Sequence, residues 1–556
     1  MAQMSAGQAV LESLVNEGCK YVFGIVGVSI LDLVDPFYDR SDIRFITTRH
    51  EQGAVDMASA YARISGVPGV CMATGGPGAS NFVGGIFNAY RAHAPVIALA
   101  GAAGTNTVLS DGGQEMDHVA AFRPFTKLAI TIPKAERIPE LMRHAYRVAK
   151  SGSKGPVLVD FPADLMQNKT IDADIVSPAA YRPLRHAVPD PTLIAQAAEL
   201  LKQAKRPLIL AGGGVTDSDC THLVVQLAEL LSIPMVTSSR HLDALPGSHP
   251  LNVGPFGQWG APETYDLSAK ADVILGIGTR LGGFGGYLQN GSVARDARII
   301  QIEMDEATLG RNCPVEVSVH GDARAAVQGL LDLLRAEGVE GGDPAWRREA
   351  DAAKAKRNAR HQREDQISKS GISPHRFYDE FAKVQTPDMI VVTDSGAVNT
   401  FGWERHAFER PRTFIASPTG AIGHAVGEAM GAKLARPDAP VISIAGDGGF
   451  LYNAHDLETA VREHIATVNI VVNNNMYGQE KALQKARFGD RIIGAELTNP
   501  RFDKLAELYG AKGYYVERLD QLGDAIHAAL SNTNVPSVIE VPVDPDDLPI
   551  HGAPRR

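Results

Sequence analysis

The residues most able to do chemistry lie in Ile442-Ser443-Ile444-Ala445-Gly446-Asp447-Gly448-Gly449-Phe450, an apolar run that ends on an aspartate among glycines. Leu457, Ala460, Val461 and Ile465 then recur at helical spacing, and a second apolar run, Val468 to Val472, ends on Asn473-Asn474-Asn475. This reads as strand, helix, strand. A right-handed crossover brings Asp447 and Asn474 to the same sheet edge. A carboxylate and an amide oxygen there can hold a hard cation such as Mg2+ while glycine amides approach a diphosphate. The same residues also suit an ordinary strand-end turn with asparagines capping a helix, and spacing alone leaves both readings open.

The elements that must position these groups are those of a large α/β protein. At 556 residues the chain has room for three or four domains. Its 44% hydrophobic and 21% charged residues are those of a globular chain with several cores. Short apolar runs alternate with Gly/Pro turns and helix-like segments over residues 20–170, again from Arg206 to about Leu334, and again from Met389 to Val543. The expected fold is α/β, with three doubly wound parallel-sheet domains at 1–170, 190–335 and 372–556 and a linker at about 171–190. The charged stretch from Glu337 to Gly371 reads as a solvated linker helix.

A net charge of −10 argues against phosphate-backbone binding, so nucleic acid is not an expected partner. The four cysteines, Cys19, Cys71, Cys220 and Cys313, show neither disulfide nor zinc spacing, and a reducing cytoplasm is the expectation. Met1 to Gly18 is patterned as a helix rather than a signal peptide, and no run is long and apolar enough to span a membrane.

Gly446-Asp447-Gly448 followed by Asn473-Asn474, with the aspartate 27 positions before the second asparagine, resembles the signature of thiamine diphosphate enzymes. Arg49-His50-Glu51-Gln52-Gly53-Ala54, Phe23 to Gly27, Gly76-Pro77-Gly78-Ala79-Ser80-Asn81 and Gly420-Ala421-Ile422-Gly423 extend the likeness along nearly the whole chain. They resemble the acetolactate synthase and pyruvate oxidase branch. The resemblance implies pyrimidine-binding, central and diphosphate-binding domains in that order, with thiamine diphosphate and Mg2+ as cofactors. It makes Asp447, Asn474 and the Met476 carbonyl the metal ligands. It gives Glu51 the proton transfer at the aminopyrimidine that activates the thiazolium, and Ile422 the bulky apolar support beneath that ring, where methionine is commoner. By the same resemblance Gly27, Pro77, Asn81, Gly396, Ala397, Val398, Gly420, Gly446, Gly448, Gly449 and Tyr477 contact the cofactor. The site then forms between subunits of a homodimer or homotetramer.

The reaction implied is decarboxylation with carboligation on 2-oxo acids. Candidates near the reacting carbon are Val28, Thr74, Gln114, Glu480 and Leu483, with His118 close by. Gln114 and Glu480 are the candidate catalytic groups beside Glu51, although Glu480 also suits a solvent-facing helix position next to Lys481. Gly113 and Leu483 replace a phenylalanine and a tryptophan of acetolactate synthases, pointing to a substrate larger than or shaped differently from pyruvate. Gly212-Gly213-Gly214, Gly276 to Arg280 and Gln301 to Asp305 resemble segments that hold FAD, or ADP and coenzyme A, so FAD or ADP/CoA is a candidate for the central domain. Three other enzymatic readings remain open: a 2-hydroxyacyl-CoA lyase or oxalyl-CoA decarboxylase, whose substrate is an acyl-CoA, a 2-oxo acid decarboxylase without ligation, and a flavin-dependent pyruvate oxidase, which would need FAD. A non-enzymatic cofactor-binding homologue is the remaining alternative.

Overall fold

The computed structural model describes residues 2–549 apart from 168, 183–186, 258–259, 367 and 369–370. Apolar runs of three to seven residues, buried in the inner strands, form three six-stranded sheets, and every neighbouring pair within them is parallel. Continuous apolar strands are what a sheet covered on both faces requires. The expected α/β architecture of three parallel-sheet domains is therefore present.

The first sheet, from Tyr21–Gly24 to Val157–Pro162, and the third, from Ile390–Thr393 to Ser537–Pro542, share the strand order 2-1-3-4-6-5. The middle sheet, from Pro207–Ala211 to Val317–His320, has the order 3-2-1-4-5-6. In open sheets of this kind ligands bind at the carboxyl ends of strands, where the winding direction reverses. In the first and third sheets that point lies between strands 1 and 3, which are Tyr21–Gly24 and Gly69–Ala73, and Ile390–Thr393 and Val441–Gly446.

Two features differ from the sequence reading. Ala2–Ser5 pairs antiparallel with Thr170–Ala173, so the N-terminal unit runs into the stretch expected as linker, of which residues 183–186 lie outside the described residues. The Pro344–Glu364 helix forms as expected, but it is not simply solvated. It buries Trp346 and Ala350, and the Trp346 indole donates to the Pro207 carbonyl at 2.7 Å. Arg360 adds a two-pronged contact to Glu263 at 2.9 and 3.1 Å. The helix thus packs along the middle sheet's domain, its apolar contacts sparse enough to be hidden among charges.

The first and third domains share one hydrophobic core. Its seam is the crossing of the Glu51–Ser65 and Ala425–Ala435 helices, each of which follows strand 2 of its own sheet. Small residues permit the approach: a Cβ on Gly431 would run into the Met57 carbonyl, and one on Gly427 would lie 2.9 Å from Asp56. Polar groups are buried in the same seam. His424 Nδ1 lies 2.7 Å from Asp56 Oδ1, and the Asn88 amide donates to Glu428 at 3.3 Å. Burial lowers the His424 pKa, but Asp56, Glu428 and Asp394 outweigh it and hold the ring up at about 9.

Candidate functional site

The chemistry-bearing residues follow strands 1 to 4 in both outer sheets. In the first, Gly27 and Val28 follow strand 1, Glu51 follows strand 2, Thr74, Pro77 and Asn81 follow strand 3, and Gln114 follows strand 4. In the third, Gly396 to Val398, then Gly420 and Ile422, then Asp447, then Asn474 to Tyr477 occupy the same four places.

At the N-terminal edge, Glu51 opens its helix and is 8% exposed. The Asn81 amide donates to Glu51 Oε2 at 2.9 Å. Gly78 leaves room beside them, since a Cβ there would stand 3.4 Å from Glu51 Oε1 and 2.9 Å from Thr74 Cγ2. A Cβ on Gly27 would lie 2.5 Å from Thr74 Cβ, which explains why this close approach takes glycine. The Thr74 hydroxyl lies 2.8 Å from the Ser29 hydroxyl and donates to Gln114 Oε1 at 3.4 Å. Glu51 with Asn81 and Thr74 with Gln114 therefore form two hydrogen-bonded pairs that flank Gly78. Val28 is 77% exposed beside Ser29.

At the C-terminal edge, a partly open pocket is lined by residues between 374 and 547 only. Gly396, Ala397, Val398, Ile422, Gly446, Asp447, Gly448, Gly449, Asn474, Met476, Tyr477 and Glu480 all line it. Gly420 and Leu483 are not among the lining residues, and neither is any candidate from the N-terminal edge. One chain thus presents two separate groups.

Asp447 is 1% exposed, and its Oδ2 accepts from the Asn499 amide at 2.7 Å. Burial pushes its carboxyl up to about 6, although Asn499 and the backbone N–H groups of Gly448 and Met476 pull the other way. Among the described residues, no cationic side chain forms an ion pair with it, and none is among the main influences on its carboxyl. A buried carboxylate so placed is costly until a cation joins it. The Ser395 hydroxyl in the same pocket is buried without a hydrogen-bond partner. Gly396 stands at φ +106, opening the short Ala397–Gly402 helix toward the pocket. Oxygen donors, an uncompensated charge and an orphaned hydroxyl fit a hard divalent cation carrying a diphosphate.

Several participants carry no motif. Asn499 lies 52 positions beyond Asp447 and also donates to Asn473 Oδ1 at 3.2 Å and Asn475 Oδ1 at 3.1 Å, tying the asparagine turn to the aspartate. Asp394 accepts from the Gly423 N–H at 2.8 Å and so fixes the turn that carries Ile422. His118, expected near the reacting carbon, is fully buried with both ring nitrogens occupied.

In the middle domain the glycine-rich strand ends are explained by packing. A Cβ on Gly214 would meet Gly278 at 2.5 Å, and one on Gly213 would meet the His241 ring at 2.6 Å. The Gln301 amide donates to the Thr279 carbonyl, and the Gly310 N–H donates to Gln301 Oε1, both at 3.0 Å. Among the described residues, no helix is long and apolar enough to cross a membrane.

Comparison with known proteins agrees with this architecture. Three family profiles match: "Thiamine pyrophosphate enzyme, N-terminal TPP binding domain" over residues 4–121, "central domain" over 194–330 and "C-terminal TPP binding domain" over 394–541. A probable acetolactate synthase large subunit of Methanocaldococcus jannaschii is 34% identical, covering 98% of this chain and 92% of the relative. A sulfoacetaldehyde acetyltransferase of Castellaniella defragrans is also 34% identical, over 97% of this chain and 93% of the relative. The acetolactate synthase large subunit of Haemophilus influenzae is 32% identical, over 98% and 95%. The chain belongs to the thiamine diphosphate-dependent enzymes and is of the acetolactate synthase type.

Proposed function

We propose that this enzyme uses thiamine diphosphate and Mg2+ to break and form carbon–carbon bonds on 2-oxo acids, decarboxylating a donor and ligating the remaining fragment to a second carbonyl. The observation that carries this reading is the buried, uncompensated Asp447 beside Asn474 and the glycines of a switch-point pocket. Bound there, the cofactor supplies a carbon nucleophile and a sink for the charge left when CO2 departs.

The chain's own groups do the rest. The Asp447 carboxylate, the Asn474 amide oxygen and the Met476 carbonyl hold the metal. Amides of Gly396, Ala397, Val398, Gly446, Gly448 and Gly449 face the diphosphate, with the Ser395 hydroxyl free to donate to it. Ile422 and Tyr477 support the cofactor's body, and Gly420 shapes the turn before Ile422. Glu51 holds and returns a proton at the pyrimidine, steadied by Asn81, while Gly27 and Pro77 contact the cofactor. Gln114, beside Thr74 and Val28, contacts substrate, and Glu480 moves a proton at its oxygen.

Residues 1–170, 190–335 and 372–556 act as pyrimidine-binding, central and diphosphate-binding domains. Because the Asp447 pocket is lined by one end of the chain alone, a second copy completes it, making the working unit a homodimer or homotetramer. Exposed Val28, Phe87 and Tyr452 supply apolar surface for that contact. FAD or ADP/CoA is the ligand proposed for the central domain. Four buried, unpaired cysteines suit a reducing cytoplasm.

A second reading, in which sulfoacetaldehyde loses sulfite as its C–S bond breaks and the acetyl unit passes to an added nucleophile such as inorganic phosphate, is favoured by the equal 34% identity to a sulfoacetaldehyde acetyltransferase. Product analysis with thiamine diphosphate and Mg2+, offering pyruvate, pyruvate with aldehydes, sulfoacetaldehyde or a 2-hydroxyacyl-CoA, separates these. Acetolactate or an acyloin supports the 2-oxo acid reading. Consumption of sulfoacetaldehyde alone, or an aldehyde with formyl-CoA, would replace it.

A further inference from the structure

His118 sits in the N-terminal domain, 0% exposed, as the first residue of the short His118–Phe122 helix, four positions after Gln114. The Gly76 N–H donates to His118 Nε2 at 3.0 Å. A backbone N–H can only donate, so Nε2 carries no proton and the neutral ring keeps its proton on Nδ1. That nitrogen lies 3.0 Å from Asp160 Oδ1, on the Val157–Pro162 strand, and donates to it. Both ring nitrogens are spent on holding the protein together, so the ring is unavailable to give a proton to a substrate.

What it holds is the turn before the short helix Pro77–Ser80. Gly76 has φ +55, and a Cβ there would lie 2.6 Å from the Gln114 carbonyl. Gly75 is fixed from the other side, its N–H donating to the Ser29 hydroxyl at 2.9 Å. The chain leaving this turn carries Gly78, packed against Glu51, and Asn81, which donates to Glu51 Oε2 at 2.9 Å. The same turn abuts Gln114.

We infer that the buried Asp160–His118 pair is a positioning device that fixes the Gly75–Gly76 turn and through it the placement of Asn81 on Glu51 and of Gln114 beside Thr74. The inference rests on the role proposed for Glu51. Asp160 fixes the tautomer, the tautomer lets Nε2 accept from Gly76, and the turn so held sets the geometry of groups that His118 never touches. Loss of the hold lets the turn relax and misplaces these side chains, and a displacement of about 1 Å costs up to about 10²-fold in rate.

The test uses the full-length holoenzyme and three variants. His118→Leu removes the acceptor and leaves Asp160 buried without its partner. His118→Gln keeps an acceptor for Gly76. His118→Leu/Asp160→Leu removes the orphaned carboxylate, so it regains the melting temperature lost in His118→Leu. Hydrogen exchange at the Gly76 amide, which needs no reaction, should accelerate more than about tenfold in both leucine variants and stay near wild type in His118→Gln. With pyruvate as donor, kcat should fall about 10²-fold in both leucine variants with KM within about threefold, and be largely kept in His118→Gln. Unchanged Gly76 exchange in His118→Leu would overturn the hold. Recovery of kcat together with melting temperature in the double variant would reduce the pair to a stability element and overturn the inference. The reading of Glu51 fails separately: full turnover by Glu51→Gln would remove it whatever Gly76 exchange shows.

Discussion

Asn81 donates its side-chain amide to Glu51 Oε2 at 2.9 Å, linking the loop after the third strand to the helix after the second. The bond fixes one carboxylate oxygen and leaves the other beside Gly78, where the missing side chain keeps space open.

Replacing Asn81 by Asp would set two carboxylates side by side, and such pairs share a proton rather than ionise together. Turnover should fall more than about tenfold. Asn81→Ser, which removes the contact without adding charge, should lose less. Steady-state kinetics on both variants check the order, and equal losses would contradict it.

Asp447 is costly while it lacks a cation, so Asp447→Asn should leave the cofactor-free protein at least as stable as wild type. The variant should then fail to gain stability from thiamine diphosphate and Mg2+. Wild type at ligand concentrations 100 times Kd should gain about 2.7 kcal/mol, a gain that EDTA removes. Thermal melting with and without ligands reads both effects. A full ligand-induced gain in Asp447→Asn would remove the metal role.

The seam between the outer domains titrates in one direction. His424 is held at about 9, so its contribution is complete below the ordinary histidine range and is lost as pH rises through 9. Burial raises Glu428 to about 7, and likewise Asp456, which accepts from the Arg49 N–H across the seam at 2.8 Å, so ionising them costs stability as pH climbs from the ordinary carboxylate range. Here the folded state binds the extra protons, and stability should decline from about pH 5 to pH 9. His424→Asn should flatten the alkaline part of that decline in a series of melting curves. A wild-type curve rising over this range would contradict the assignment.

Gly431→Ala should destabilise by about 1–3 kcal/mol, because the new methyl would run into the Met57 carbonyl at the helix crossing. Gly286→Ala, where no atom lies within 4 Å of the added Cβ, serves as the control. Chemical denaturation of the two variants gives the comparison, and equal stabilities would show that the crossing is looser than it stands here.

Much of this was legible in the sequence because local patterns are short-range. The apolar runs ending at Gly446 and Asn473 are strands, and the helix opens on Glu51. What stayed hidden depends on contacts between distant residues. Asn499 lies in an irregular stretch with no periodicity, and only the folded chain brings it to Asp447. The pairing of Ala2–Ser5 with Thr170–Ala173 joins short segments whose register nothing local announces. His118 lies beside a candidate segment, but its partners Asp160 and Gly76 are each 42 positions away. In the Pro344–Glu364 helix the charges dominate the pattern, while two buried residues, Trp346 and Ala350, decide where it packs.

In the function proposed above, Glu51 and the Asp447 pocket together drive thiamine diphosphate-dependent chemistry on a 2-oxo acid. Its most direct test is CO2 release from pyruvate by the purified protein with thiamine diphosphate and Mg2+, run beside Glu51→Gln. The account predicts release that requires both cofactors and falls at least about 10²-fold in Glu51→Gln while cofactor binding persists. Release that needs neither cofactor, or that Glu51→Gln supports at the wild-type rate, would contradict it.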